Sequence, residues 1–234
     1  MVLQYGGVET VAVERYKFKA LIAGMLLGDA GVFCDRGKNA YLRMQHGMKQ
    51  KGYLLHKAEI LKQLTSVNVN VLNPSGKKNP YHQIACATKR HPLYTRVREI
   101  TYPDGKKTVT PTWLSWLDEH GLALWYMDDG SLCKTRNKNK SGRLRVASRR
   151  IHLNTCGFTL EENELLRNFI QERFGIKFYI NKAGDYQGRT YHRLVAGAKE
   201  ANKLFEIIRP YIVPCMEYKL DMEYDSQPKA DSRM

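Results

Sequence analysis

The residues best suited to chemistry are two aspartates, each at the end of a long apolar segment. Asp29 follows IAGMLLG, and Asp129 follows LALWYMD, in which Asp128 adds a neighbouring carboxylate. Carboxylate oxygens suit Mg²⁺, and ions held between two such groups can flank a phosphodiester from both sides. The pattern therefore indicates metal-assisted phosphoryl chemistry. An aspartate before glycine also makes ordinary turns, so either motif alone has a purely structural interpretation.

The second segment permits a different interpretation, because its letters YMDD at positions 126–129 are typical of reverse transcriptases. In those polymerases the tetrapeptide lies between two strands, and a further aspartate well upstream completes the metal site. Here residues 122–127 continue an apolar run with helical character, and the matching segment near Leu21 has no tyrosine. The sequence therefore favours a helix at this position and argues against polymerisation.

The net charge indicates a polyanionic partner. The 234 residues include 38 Lys plus Arg against 23 Asp plus Glu, which gives +15 and a sequence pI of about 9.6. Because no segment resembles a basic amphipathic membrane helix, nucleic acid is the favoured partner and a membrane is not. The positive charge is concentrated at 134–150, a run with eight basic residues and no acidic ones, which has a second interpretation as a solvated flexible loop. Its basic residues are Lys134, Arg136, Lys138, Lys140, Arg143, Arg145, Arg149 and Arg150.

Cysteine usage and the N-terminus favour an intracellular protein. The five cysteines are widely spaced and form no C-x-x-C pair, which argues against a disulfide framework and a zinc ribbon. The N-terminal segment lacks the cationic start, apolar stretch and cleavage site of a secretion signal. The longest strongly apolar run, residues 20–27, is far shorter than the roughly 20 residues needed to cross a bilayer. We therefore expect a soluble protein with reduced thiols.

The chain contains a diverged internal repeat. Three pairs of segments match in the same order: 22–31 with 122–131, 41–45 with 150–154, and 81–89 with 191–199. The first match superposes the two aspartates at an offset of 100. The second superposes Gln45 on Asn154 at an offset of 109, and the third superposes His82 on His192 at an offset of 110. Ordered matches of this kind indicate two copies of one unit.

Periodicity within each copy predicts the order αββαββα. Apolar segments with helical character alternate with period-2 stretches such as YLRMQ and RIHLN. The fold class is therefore α+β, with two pseudo-symmetric halves that each contain an antiparallel sheet. We expect an N-terminal arm at 1–17, a first half at 18–110, a second half at 111–224 and a flexible tail at 225–234.

The first helix of each copy should pack against its counterpart in a central two-helix interface. Residues 18–27 are apolar on every side, which suits a buried helix. Ala20, Ala23 and Gly24 are small enough for a partner backbone to approach closely, and the partner would be the helix around 122–127.

The ends of these two helices should carry the chemistry. We expect Gly31 and Gly130 to end the helices in the left-handed conformation. Asp29 and Asp129 would then meet at the negative ends of the helix dipoles, where a divalent cation would balance their charge.

With these features the sequence resembles the LAGLIDADG homing endonucleases of the single-chain, two-motif kind encoded in mobile introns. LIAGMLLGDAG and LALWYMDDGSL look like the two signature helices, and LNTCGFTLEENELL and VPCMEYKL are similar to segments in the second half of several members. The likeness covers about residues 18–220. Leu27 and Met127 replace the acid usual at the sixth signature position, whereas the eighth position keeps its acid as Asp29 and Asp129.

The resemblance implies a metal centre between the halves. Asp29 and Asp129 would hold Mg²⁺, for which Mn²⁺ or Ca²⁺ could substitute in binding. The backbone carbonyls of Gly28 and Asp128 would help to hold the ions.

The resemblance also implies residues that act beside the metal. Gln45 and Asn154 would position water. Lys107 and Lys219 would stabilise charge or polarise that water, and Lys106 is an alternative to Lys107 because the two are adjacent.

The implied activity is hydrolysis of one phosphodiester in each strand of double-stranded DNA, at a long asymmetric target, by a monomer. The two sheets would form a saddle over the major groove, where alternate side chains read bases and others contact phosphate. The candidate DNA-binding residues are Arg36, Lys38, Arg43 and Gln83 in the first half and Lys134, Arg136, Arg143, Arg145, Lys182, Arg189 and Arg193 in the second.

The main alternative is a binding protein on the same fold, either an RNA maturase that acts on intron RNA or a DNA-binding regulator. Retention of both Asp29 and Asp129 speaks against this alternative. Two anions close to phosphate would weaken a protein that only binds nucleic acid.

Overall fold

The computed structural model describes residues 15–35, 38–73, 81–138 and 144–220. Within these ranges no helix has the length and apolar character needed to cross a membrane. The first helix begins at Arg15, before the predicted start at residue 18, and the rest of the expected N-terminal arm lies outside the described residues. The expected tail at 225–234 lies outside them as well.

The first half has the predicted order of elements. Its elements are α1 (Arg15–Leu27), β1 (Gly31–Phe33), β2 (Tyr41–Gly47), α2 (Lys51–Lys62), β3 (Val67–Leu72), β4 (Gln83–Thr88) and α3 (Pro92–Thr101). Strand β2 alternates as its period-2 sequence predicts, with Leu42, Met44 and His46 buried.

The second half repeats this order after a short additional helix, α4 (Pro111–Leu114). Its further elements are α5 (Glu119–Asp129), β5 (Gly130–Lys138), β6 (Leu144–Leu153), α6 (Leu160–Phe174), β7 (Tyr179–Tyr186), β8 (Arg189–Gly197) and α7 (Ala198–Ile208). Two 3₁₀ turns, Arg209–Tyr211 and Pro214–Lys219, bring the chain back against α5, where the Tyr126 hydroxyl donates to the Lys219 carbonyl at 3.0 Å.

Each half contributes a four-stranded antiparallel sheet. The strand orders are β1-β2-β4-β3 and β5-β6-β8-β7, so the two sheets have the same topology. This confirms the α+β class with two pseudo-symmetric halves.

The strand registers correct the third sequence match. Arg43 in β2 lies opposite Ala87, and its counterpart in β6, His152, lies opposite Val195. Strands β4 and β8 therefore correspond at an offset of 108 (195 minus 87), and the predicted offset of 110 is wrong. His192 lies within β8 whereas His82 precedes β4, so the two histidines are not equivalent.

Helices α1 and α5 cross with their backbones almost in contact. A Cβ added to Gly24 would lie 2.0 Å from the carbonyl oxygen of Gly121, and one added to Gly121 would lie 2.4 Å from that of Ala20. Only glycine fits at this crossing. Residues 20–27 and 121–127 are all buried, which confirms the predicted central interface.

The predicted left-handed helix ends are wrong. Gly130 is extended, with φ −75° and ψ 145°, and it starts strand β5 directly. Gly31 is likewise absent from the described glycines that have positive φ. Glycine is required at position 130 for space, because a Cβ there would lie 2.2 Å from the ring of Tyr126.

Candidate metal centre and nucleic-acid interface

The two predicted aspartates lie at the ends of the central helices. Asp29 is in the turn after α1, and Asp129 is the last residue of α5. Residues 126–129 are helical, as predicted, and do not form the hairpin turn of a polymerase. Unpaired carbonyl groups give such helix ends partial negative charge. Both carboxylates therefore lie where a cation is favoured.

Burial and repulsion increase the need for a counter-ion. Burial, followed by the charges of Asp29 and Asp128, raises the pKa of Asp129 to about 7. Burial and the charge of Asp128 also raise the pKa of Asp29. A divalent cation would relieve both effects, and hard carboxylate oxygens are the ligands that Mg²⁺ prefers. The donor set therefore fits the ion that the sequence implies.

The two predicted lysines cap the helix ends. Lys107 Nζ donates to carbonyl oxygens at the end of α1, including that of Ala30 at 2.7 Å. Lys219 Nζ donates to carbonyl oxygens at the end of α5, including that of Asp128 at 2.9 Å. Burial lowers the pKa of both amines. Lys106 is exposed, so Lys107 is the lysine that reaches this centre.

Asp128 is paired with a buried lysine from the first half. Lys57 Nζ donates to Asp128 Oδ1 at 2.8 Å, and neither side chain has exposed surface. Asp128 Oδ2 accepts from the backbone N–H of Asp29 at 3.2 Å. Gly28 lies against this carboxylate, because a Cβ at Gly28 would be 2.3 Å from Asp128 Oδ2. The resemblance implied that Gly28 and Asp128 assist Asp29 and Asp129 through backbone carbonyls only, so it predicted neither this role for the Asp128 carboxylate nor any role for Lys57.

Two more residues of the first half complete this network, and neither was predicted from the sequence. His46 places Nδ1 3.4 Å from Asp29 Oδ2 and Nε2 3.7 Å from Asp128 Oδ1. Burial and the charge of Lys57 lower the pKa of His46 to about 4, so the ring is neutral at physiological pH. The ring of Tyr53 lies 4.3 Å from Lys57 Nζ. The available sequence signal was the alternate, buried position of a histidine on β2.

Asp29, His46 and Asp128 together have the composition of a metal site. One ligand atom from each lies within 4.8 Å of the others. Lys57 already neutralises Asp128, however, whereas among the described residues no Lys or Arg forms an ion pair with Asp29 or Asp129. These two carboxylates are therefore the ones that still require a cation.

The two predicted water-positioning amides have different surroundings. Gln45 lies on β2, and its Nε2 donates to Oε1 of Gln83. Asn154 is exposed immediately after β6, and its backbone N–H donates to the Asp129 carbonyl at 3.1 Å. The backbone contact fixes Asn154 beside the helix end, whereas the amide of Gln45 is engaged with its neighbour on the sheet.

The first sheet presents a polar face on the side opposite its buried residues, which we call the open face. Residues directly opposite one another in antiparallel strands share a face. Arg43 and Gln45 lie on the open face of β2, and Gln83 lies on that of β4. Asn68 and Asn70 lie on the open face of β3, although neither was predicted.

The open face of the second sheet carries more arginines. Arg150 lies on β6, and Arg189 and Arg193 lie on β8, on the side opposite the buried Ile151 and Leu194. The sequence predicted Arg189 and Arg193 as DNA-binding residues but not Arg150.

Two predicted DNA-binding residues lie on the opposite face. Lys134 pairs with Arg149 and so shares a face with the buried Ile151. Lys182 pairs with His192 and bonds Asp185 at 2.5 Å. Strand alternation therefore directs these two lysines away from the open face. The prediction missed this because it used charge alone and did not include the strand register.

The remaining predicted DNA-binding residues are placed only in part. Arg36 and Arg143 lie outside the described residues. Arg136 occupies β5 opposite Val146, and Arg145 occupies β6 opposite Asn137. Lys38 is exposed in the connection between β1 and β2.

Comparisons with known proteins agree with this geometry. A family model described as the LAGLIDADG DNA endonuclease family matches residues 19–204. The uncharacterized protein MJ1098 of Methanocaldococcus jannaschii is 31% identical over 213 residues, 89% of this chain and 75% of that protein. The probable intron-encoded DNA endonuclease 3 of Mycosarcoma maydis is 34% identical over 116 residues, 49% of this chain and 73% of that protein. Several other relatives are longer proteins, and the chain spans less than half of each.

Among solved structures, the homing endonuclease I-WcaI bound to its DNA recognition sequence has a similar fold. The TM-score is 0.74 at 21% identity, over 90% of this chain and 88% of that chain. The family match includes both sheets, all of helix α5 and residues 19–27 of helix α1. The chain therefore belongs to the LAGLIDADG DNA endonuclease family.

Proposed function

We propose that this protein is a metal-dependent, site-specific double-strand DNA endonuclease that hydrolyses one phosphodiester in each strand of a long asymmetric target. The main supporting observation is the position of Asp29 and Asp129 at adjacent helix ends, where the Asp29 backbone N–H donates to the neighbouring Asp128 Oδ2 at 3.2 Å. The family match supports this activity, as do a relative named as an intron-encoded DNA endonuclease and a similar structure solved on DNA.

Mg²⁺ bound to Asp29 and Asp129 would supply Lewis-acid polarisation of water and phosphate. The ammonium groups of Lys107 and Lys219 lie beside the same helix ends, where they would stabilise negative charge that develops on the phosphoryl oxygens. Asn154 would orient water from its fixed position next to the Asp129 carbonyl, and we retain Gln45 as its counterpart.

The open faces of the two sheets would contact double-stranded DNA. The net charge of +15 supports a polyanionic partner. In this proposal residues 18–110 and 111–224 form the two halves, each half serves one strand, and a monomer is sufficient. Intron RNA remains a further partner under the same proposal.

The first test is cleavage of plasmids that carry candidate intron-insertion sites, in Mg²⁺ and in chelator. Asp29→Asn and Asp129→Asn should each lower double-strand cutting by at least about 10³-fold, because each removes a ligand and a charge at the reacting phosphate, while site binding persists. Asp104→Asn, on an exposed turn, is the control. Lost binding with retained cutting would contradict the proposal. Site or RNA binding by the wild-type protein with no cutting in Mg²⁺ would favour the maturase or regulator.

A second test separates the adjacent lysines. Lys107→Ala should slow cleavage by about 10²-fold, because Lys107 reaches the helix end, whereas the exposed Lys106→Ala should have little effect. Single-turnover cleavage rates at saturating protein would measure both. Equal effects of the two substitutions would remove Lys107 from the proposed site.

A further inference from the structure

We propose that the two sheets read different bases: the first sheet recognises a half-site rich in A·T pairs, and the second recognises one rich in G·C pairs. This inference rests on the proposed function and names the class of target. It comes from the side chains on the two open faces, which differ although the sheets share one topology.

Among the described residues, the open face of the first sheet carries one arginine, Arg43, and three amide side chains besides Gln45, namely Asn68, Asn70 and Gln83. Asn70 lies opposite Ala85, and Asn68 lies opposite Ala87. Ala85 and Ala87 have short side chains, so the amide side chains of Asn70 and Asn68 can extend over strand β4. Asn and Gln form bidentate hydrogen bonds with the N6 and N7 atoms of adenine in the major groove. The arrangement therefore suits adenine on one strand or the other.

The corresponding row of the second sheet is built around an arginine. Arg193 takes the place of Ala85 and lies opposite Asn181. Arg150 on the next strand lies opposite Gly197, which has no side chain to cover it. Arginine forms bidentate hydrogen bonds with O6 and N7 of guanine, the commonest specific contact in the major groove.

The positions of these residues favour base contacts over phosphate contacts. Strands β2 and β4 are the inner strands of the first sheet, and β6 and β8 are those of the second. Within this proposal Arg150 and Arg193, on inner strands, contact base edges. Asn68 and Asn70 lie on the edge strand β3 and reach base edges over the short side chains of Ala87 and Ala85. Arg189, at the end of β8 with its guanidinium 5.1 Å from the Tyr191 ring, is better placed for phosphate or stacking.

The proposal can be tested by selection from duplexes with a randomised segment long enough to span both sheets. The Asp29→Asn, Asp129→Asn double variant would be used, because it should bind without cutting. The expected result is a selected site with adenine contacts concentrated in one half and guanine contacts in the other. If no duplex is retained, the proposed function itself fails. If a specific site is retained without this difference between its halves, only the present inference fails.

Matched variants would then assign each half to a sheet. Asn70→Ala should weaken binding about tenfold and relax base preference only in the A·T-rich half, and Arg193→Ala should do the same only in the G·C-rich half. Asn168→Ala, exposed on helix α6, is the control. If Arg193→Ala weakens all duplexes equally and reduces the salt dependence without relaxing base preference, Arg193 contacts phosphate and the inference is overturned.

Discussion

Helices α1 and α5 each end near an aspartate, Asp29 or Asp129, but the surroundings of these two aspartates differ. At the first end, the Asp29 backbone donates to Asp128 and the Asp29 carboxylate lies 3.4 Å from His46. At the second end, the Asp129 carboxylate has no hydrogen-bond partner among the described residues, although the Asp129 carbonyl accepts from the backbone N–H of Asn154, just after β6. A lysine side chain caps each helix end, so the difference lies in the carboxylates: that of Asp29 joins a side-chain network, and that of Asp129 does not.

Corresponding positions in the two halves explain this difference. Helices α2 and α6 begin at residues 51 and 160, an offset of 109, which also relates β2 to β6. At this offset Lys57 corresponds to the buried Leu166, and His46 corresponds to Thr155. Thr155 is buried and hydrogen-bonded to Asn163. At these two positions the first half places a lysine and a histidine, whereas the second half places the neutral residues Leu166 and Thr155.

The centre of the interface also requires asymmetry. Gly28 and Asp128 are corresponding positions in the repeat, and a Cβ at Gly28 would lie 2.3 Å from Asp128 Oδ2. The two side chains would compete for one space, so one copy must be glycine if the other is aspartate. A duplicated backbone can therefore be symmetric while its residues nearest the pseudo-twofold axis cannot.

The largest expected effect comes from breaking the network of the first half. Lys57→Met would leave the Asp128 carboxylate buried without its cation, which should lower the free energy of unfolding by about 3–5 kcal/mol. Urea unfolding in chelator would measure it.

The matched control for Lys57→Met is the double variant Lys57→Met, Asp128→Asn. It buries no charge, so its stability should return most of the way to that of the wild-type protein. A loss below about 1 kcal/mol for Lys57→Met alone would show that water reaches the pair and that the two helix ends are less different than the structure indicates.

A substitution where helices α1 and α5 cross should affect the Asp29 end and the Asp129 end together. Gly121→Ala would place a Cβ 2.4 Å from the Ala20 carbonyl oxygen, so the helices must separate, at a cost of about 1–3 kcal/mol. Gly47→Ala, where the added Cβ has open space, is the control. If Gly121→Ala slows cleavage of one strand only, the central helices do not act as the shared frame described above.

Much of the fold and of the candidate site could be predicted from the sequence, because the sequence patterns that indicate them are local or occur in both copies of the repeat. The order of elements and the paired aspartates follow from periodicity and from matched segments, and Lys107 follows from the family resemblance. Lys57 and His46 were missed because each lies on a buried face that looks like ordinary core. Lys134 and Lys182 were placed on the wrong face because charge carries no information about strand register. The third match was wrong by two residues because a slip of two preserves the alternation of faces.

An intermediate effect should appear in the pH dependence of stability without metal. The pKa of Asp129 is raised from 3.8 to about 7, so between these values the folded protein binds a proton that the unfolded chain does not. Stability should therefore fall as pH rises from about 4 to about 7, because the carboxylate must ionise while partly buried. Asp129→Asn should raise the Tm at pH 8 and change it little at pH 5. An equal shift at both pH values would contradict the raised pKa.

The smallest expected effect concerns how the two halves start their second helix. Helix α6 has a capping box, in which the Thr159 hydroxyl accepts from the Glu162 backbone and the Glu162 carboxylate accepts from the Thr159 backbone. Helix α2 has no side-chain cap and continues from a 3₁₀ turn. Thr159→Ala should therefore cost about 1 kcal/mol in unfolding free energy, measured against Thr112→Ala on the exposed surface of α4. Equal stabilities for the two variants would mean that α6 begins through tertiary packing, as α2 does.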